Sequence, residues 1–134
     1  MKISIKLLLL LSILLSGVFA CKKEHCNPTK GITGEWIWVE SVGGIGGWTE
    51  TPETGMLTRK LKIDDFFFRS YVNDSLVLET QYDLGISDHV LLGTEERTFI
   101  RFASGEEQAI IIGTKELELI DQCYDCFYHK YRRK

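Results

Sequence analysis

The sequence predicts an all-β domain, an antiparallel up-and-down barrel of about eight strands, and two observations predict it. From Gly34 onward, aromatic and β-branched runs recur about every 8 to 12 residues, separated by Gly, Asn and Asp, the spacing of a sandwich or barrel. No stretch carries a convincing helical period. Closing eight strands removes exposed edges and leaves an interior for side chains or one small ligand.

The chain opens with Lys2 and Lys6, an apolar run from Leu7 to Leu15 and a small-residue region from Ser16 to Ala20. That is the three-part layout of a secretory signal. A membrane span needs about twenty apolar residues, and this run is stopped by Cys21-Lys22-Lys23-Glu24 before reaching that length. Val18-Phe19-Ala20 satisfies an ordinary cleavage site and, with Cys21 next, a lipobox with an atypical Phe. The expectation is cleavage before Cys21 and lipid on its sulfur, such as palmitate; plain secretion with an ordinary thiol is the alternative. Two or more acyl chains anchor firmly, since each buried methylene contributes about 0.8 kcal/mol. The expected location is the cell envelope, on the outer membrane, at its periplasmic face or the cell surface.

This divides the chain into a signal peptide (1–20), a lipidated N-terminus and polar tether (21–33) and the barrel (34–134). Removing residues 1–20 leaves 114 of 134 residues, enough for one core. Loss of Lys2 and Lys6 takes the net charge from −3 to −5. That acidity argues against a nucleic-acid partner, which normally meets a basic face. The basic end, Lys130-x-Arg132-Arg133-Lys134, reads as the cap of a terminal strand.

The strands follow in order. In Gly34 to Val42, Trp36 and Trp38 share one side and Ile37 and Val39 the other, so both faces are expected to be covered. The glycine-rich segment 43–48 turns freely and lacks the Gly-Lys-Ser/Thr of a phosphate loop. Leu57, Arg59, Leu61 and Ile63 alternate with Thr58, Lys60 and Lys62, giving one mainly apolar face. Phe66 to Val72, the Asn73-Asp74 turn and Ser75 to Tyr82 form a hairpin. A loop through Gly85 to Asp88 and a short apolar piece, His89 to Leu92, come next. Arg97 to Phe102, Gln108 to Ile112 and Glu116 to Asp121 continue the meander across turns at 103–105 and 113–115. In the last strand, Phe127 to Arg133, Phe127, His129, Tyr131 and Arg133 share a face.

With Cys21 lipidated, Cys26, Cys123 and Cys126 remain for one disulfide and one thiol. Cys26 with Cys123 or Cys126 would tie the tether to the last hairpin, and Cys123 with Cys126 would staple a turn. Cys123-x-x-Cys126-x-x-His129 with His25-Cys26 has metal-ligand spacing, yet exported thiol pairs oxidise readily and structural zinc uses two complete ligand pairs. No metal and no cofactor are therefore expected.

The lipobox, Gly34-x-Trp36-x-Trp38, the segment Gly-Gly-Ile-Gly-Gly-Trp-Thr-Glu-Thr-Pro (43–52), Tyr71-Val72-Asn73-Asp74 and the closing Asp121-Gln122-Cys123-Tyr124-Asp125-Cys126…Tyr131 together resemble the small bacterial lipocalin-like lipoproteins. The resemblance spans about residues 34–133. It implies that Trp36 closes the barrel floor and that Arg133 packs over its indole, with Arg132 as the alternative. The chain departs from larger lipocalins in its length, its short strands and the lack of a clear helix after the barrel.

Three functions compete. In the first, a membrane-anchored barrel lined by Trp38, Tyr71, Tyr82, Phe102, His129 and Tyr131 binds a small apolar or amphipathic molecule. In the second, the aromatics fill the barrel and the protein is an envelope interaction or structural module, with Trp48 on its loop as the contact. An enzyme is not expected. The paired acids 64–65, 95–96 and 106–107 point different ways in strands and turns, and His129 has no nucleophile at motif spacing.

Overall fold

A computed structural model describes residues 29–87 and 97–134. The signal peptide, Cys21, Cys26 and the His89 to Leu92 piece lie outside the described residues. The elements are α1 (Thr29–Ile32), β1 (Gly34–Gly43), β2 (Trp48–Glu50), α2 (Pro52–Gly55), β3 (Arg59–Ile63), β4 (Phe67–Val72), β5 (Ser75–Ser87), β6 (Arg97–Phe102), β7 (Glu107–Ile112), β8 (Glu116–Asp121) and β9 (Phe127–Arg133). Every pairing is antiparallel, and β9 returns to β1. The result is a closed eight-stranded barrel, β1 and β3 to β9, with β2 as an extra strand on the far half of β1.

The hairpin at Asn73-Asp74 forms as its residues predict, both with φ in the left-handed region (47° and 63°) that a two-residue turn of this hand requires. Three boundaries differ from the sequence expectation. β2 was not anticipated: three residues are too few to show alternation. β5 runs on to Ser87 where a loop was expected, because Leu84 and Ile86 keep the alternation and Gly85 pairs with Phe99 in the ladder. The segment expected as tether up to residue 33 is structured from Thr29, and Ile32 is fully buried against the barrel core.

Two bulges decide which side chains face inward. Between Trp38 and Glu40 the register of β1 on β9 shifts, leaving Val39 as the extra residue. Trp36, Trp38 and Ser41 therefore point in, where strict alternation would have put Glu40 in the core. Ile37 is only half-buried and Val39 is exposed, so the outer face of β1 is not covered as expected. A second shift, between Ser70 and Tyr71, leaves Val77 of β5 unpaired.

The core gathers Ile32, Trp36, Leu61, Ile63, Phe68, Ile100, Ile110 and Leu117 inside the barrel. A small second cluster, Phe99, Ala109 and Ile120, sits in register across β6, β7 and β8 on the outer face.

At the end where β1 begins and β9 finishes, the floor is closed. The fully buried Trp36 donates its indole N–H to the Ile32 carbonyl at 2.7 Å, and the Arg133 guanidinium lies 4.0 Å over its ring. Arg133 also donates to the carbonyls of Gly31 (2.7 Å), Thr33 (2.8 Å) and Thr114 (3.1 Å), while Arg132 is exposed on the outer face.

Candidate functional site

The opposite half of the barrel interior holds a cavity of about 450 Å³, within the range of small-molecule sites. Strand alternation divides its wall. On β4, β5 and β6 Phe68, Val72, Leu78 and Phe102 outnumber the small polar Ser70 and Thr80, and Leu57, Leu61 and Leu119 extend the apolar lining. On β3, β9 and β7 it carries Arg59, His129, Tyr131 and Gln108, with Glu106 and Ser104 at the β6–β7 turn. A wall of this kind suits an amphipathic guest.

A chain of hydrogen bonds stiffens the polar half. Trp38 donates Nε1–H to Ser41 Oγ at 2.9 Å, and Ser41 Oγ lies 2.7 Å from His129 Nδ1. The ionised Asp121 carboxylate can only accept, which places the imidazole hydrogen on Nε2 and leaves Nδ1 to accept from the Ser41 hydroxyl. Nε2 then faces Asp121 Oδ2 at 3.3 Å, and Gln108 Nε2 donates to Asp121 Oδ1 at 2.6 Å. Burial opposes ionisation of Asp121, but the hydrogen bonds from His129 and Gln108 outweigh it and hold the carboxyl below its ordinary value. Ser, His and Asp thus meet, as the sequence spacing gave no reason to expect. Ser41 is 1 % exposed, is engaged on both sides and is not part of the cavity wall, so the trio fixes the wall's shape.

Arg59 enters the cavity from β3, 4.7 Å from the centroid of the Trp38 ring and 3.0 Å from Glu50 of β2. This is the structural use of β2: it brings a carboxylate to the one arginine on an otherwise apolar strand face.

The six residues expected to line a site are not all brought together. Phe102, His129 and Tyr131 line the cavity, and Trp38 lies behind Arg59. Tyr71 faces outward, a correction: Phe68, Ser70 and Val72 take the inward positions of β4, so Tyr71 pairs with Lys60 and packs beneath Lys60 and Lys62. Tyr82 points inward but packs against the core below the cavity, its hydroxyl donating to the Asp64 carbonyl at 2.8 Å. Arg59, Glu106, Gln108, Asp121 and Ser41 were missed. The available signal was a polar residue in phase with apolar ones: Arg59 with Leu61 and Ile63, Gln108 with Ile110 and Ile112, Asp121 with Leu117 and Leu119.

Cys123 and Cys126 form a disulfide across the β8–β9 connection, with Cα atoms 5.3 Å apart. It consumes both sulfurs of the metal-spaced motif, and among the described residues no group of three His, Cys, Asp or Glu is placed to hold a metal ion.

Tyr131, 6 % exposed, keeps its proton to about 12 because burial penalises the phenolate. A raised folded value means stability that is complete below the ordinary tyrosine range near 10 and is lost as pH rises toward 12. The unfolding free energy should therefore fall by up to about 2 to 3 kcal/mol over that interval, with Tyr131→Phe much flatter over the same range. Parallel curves for the two proteins would contradict it.

No protein-family model matches the chain, and no curated protein or solved structure matches it.

Proposed function

We propose that this is an exported, lipid-anchored carrier of the cell envelope that holds a small amphipathic molecule in the mouth half of its barrel, as the resemblance to lipocalin-like lipoproteins implies. The observation that carries the reading is the cavity of about 450 Å³ with one apolar and one polar wall. The anchor rests on Val18-Phe19-Ala20-Cys21. The position of α1 is compatible with it: the chain enters the barrel at the closed floor, opposite the mouth. The reading is of binding, with no chemical step on the guest.

Native mass spectrometry of the protein as purified tests both parts. The expected spectrum shows acyl mass on Cys21, lost in Cys21→Ser, and a co-purifying small molecule absent from Val72→Trp, whose indole would fill the mouth. A bare mature chain that takes up no amphiphile would reject the proposal.

One observation favours the interaction module as a second reading. Ile45 (91 % exposed), Met56 (89 %) and Tyr124 (76 %) lie on connections at the mouth end and Trp48 (72 %) opens β2 beside them, so Trp48 is not folded onto the barrel. Exposed aromatics of this kind anchor protein contacts. In-cell cross-linking should lose a partner in Trp48→Ala on this reading, and an unchanged set of cross-links would reject it.

A further inference from the structure

We infer that the outer edge of β5, from Ser75 to Thr80, docks an extended segment of a partner protein, a strand that is uncharged and apolar at alternate positions. The inference goes beyond the cavity and does not depend on its being filled.

Sheet closure is incomplete at this edge. β4 pairs with β5 from Ser75 to Gln81, whereas β6 joins β5 only from Tyr82 onward. The last bond before the opening runs from Ala103 N–H to the Gln81 carbonyl at 3.0 Å. Beyond it β6 turns back on itself, Phe102 N–H donating to the Glu106 carbonyl and Gly105 N–H to that of Phe102. Among the described residues, the span from Ser75 to Thr80 is therefore left without a strand on one side. Alternate residues of a strand point their N–H and C=O to the same side, so Glu79 presents both to the side that Gln81 faces.

A free edge of this kind is a template for another strand. Leu76, Val77 and Leu78 are all exposed along it and supply apolar contacts. Neither lysine nor proline guards it, and the bulge at Val77 adds an apolar side chain rather than a charge. The flanking carboxylates already have cationic partners, Asp74 in Lys60 at 2.8 Å and Glu79 in Arg69 at 2.6 Å. The edge thus matches an uncharged strand. Lipid is a poor occupant, because acyl chains offer nothing to the backbone groups of Glu79. A second copy is also a poor one. Antiparallel pairing of two β5 edges about a two-fold axis turns the two floors in opposite directions, so two anchored chains could not share one membrane.

The test uses the intact protein and a dye-labelled eight-residue probe that alternates valine and threonine between terminal lysines, followed by fluorescence anisotropy. The expected Kd is below about 100 µM, with binding about tenfold weaker for Val77→Lys, whose lysine sits at an exposed bulge and should leave the thermal midpoint in place. The same probe N-methylated along its backbone keeps its charge and side chains but loses its donors, and it too should bind about tenfold more weakly. At saturation the plain probe should slow amide exchange at Glu79 about fivefold or more. Equal binding of the two probes, or no binding of the plain one, overturns the inference. So does a dimer of the probe-free protein in sedimentation that Val77→Lys dissociates, or binding to phosphatidylcholine vesicles that the same variant loses, since each gives the edge to another occupant. All of these outcomes leave the cavity reading untouched.

Discussion

Arg133→Ala is expected to lower the unfolding free energy by about 2 to 4 kcal/mol, the largest loss from any charged residue in the domain. The guanidinium does two things at once. Its face lies 4.0 Å over Trp36, and its edge donates to carbonyls of Gly31, Thr33 and Thr114, joining α1, the start of β1 and the β7–β8 turn. Gly34 makes the approach possible: with φ of 136° it passes under the guanidinium, where a Cβ would sit 2.8 Å from Nη1. Alanine removes the stack and strips three carbonyls of a charged donor. Lysine restores a charge without the planar fork and should recover less than half of the loss. Arg132→Ala, one residue earlier and exposed on the outer face, is the control and should stay within about 0.5 kcal/mol of the parent. Urea midpoints for the three variants decide the matter, and equal midpoints for Arg132→Ala and Arg133→Ala would refute the floor assignment.

That contrast also shows what the sequence makes legible. Alternation along β9 puts Phe127, His129, Tyr131 and Arg133 on one face, and the ladder with β1 keeps that phase. The strand count, the Asn73-Asp74 hairpin and the inward Trp36 and Trp38 follow from equally local patterns. The candidate site was harder to see, because its polar half depends on bulges and on contacts between distant strands. The shift at Val39 brings Ser41, not Glu40, opposite His129, and no residue around it announces a bulge. Arg59 reads as an exception on an apolar face until β2 places Glu50 beside it. Tyr71 misled for the opposite reason: an aromatic in a strand suggests burial, yet Phe68 had already set the inward phase of β4. Periodicity thus reports which residues share a face, while closure decides which of them meet.

Gly43→Ala should be the most damaging small change at the mouth, costing about 2 to 4 kcal/mol and weakening any cavity ligand at the same time. Gly43 pairs with Phe127 where β9 closes onto β1. An added Cβ would press on the carbonyl oxygen of Cys126 and lie 2.7 Å from Phe127 Cα and 2.9 Å from the Cys126 carbonyl carbon. All three are backbone atoms, so no rotamer change relieves the contact and the strands themselves must part. The cause is space: Gly43 is not among the residues with positive φ. Because Ser41 and His129 face each other two residues further along this seam, parting the strands would also loosen the hydrogen bonds running from Trp38 to Asp121. Gly85→Ala separates this effect from the general cost of changing a strand glycine. It too lies in a ladder, and a Cβ there meets nothing within 4 Å, so its stability should shift by no more than about 0.5 kcal/mol. Thermal unfolding of both variants, followed by titration of a fluorescent amphiphile, tests the account. A Gly43→Ala protein as stable and as competent as Gly85→Ala would mean that the seam between β1 and β9 does not set the geometry of the mouth.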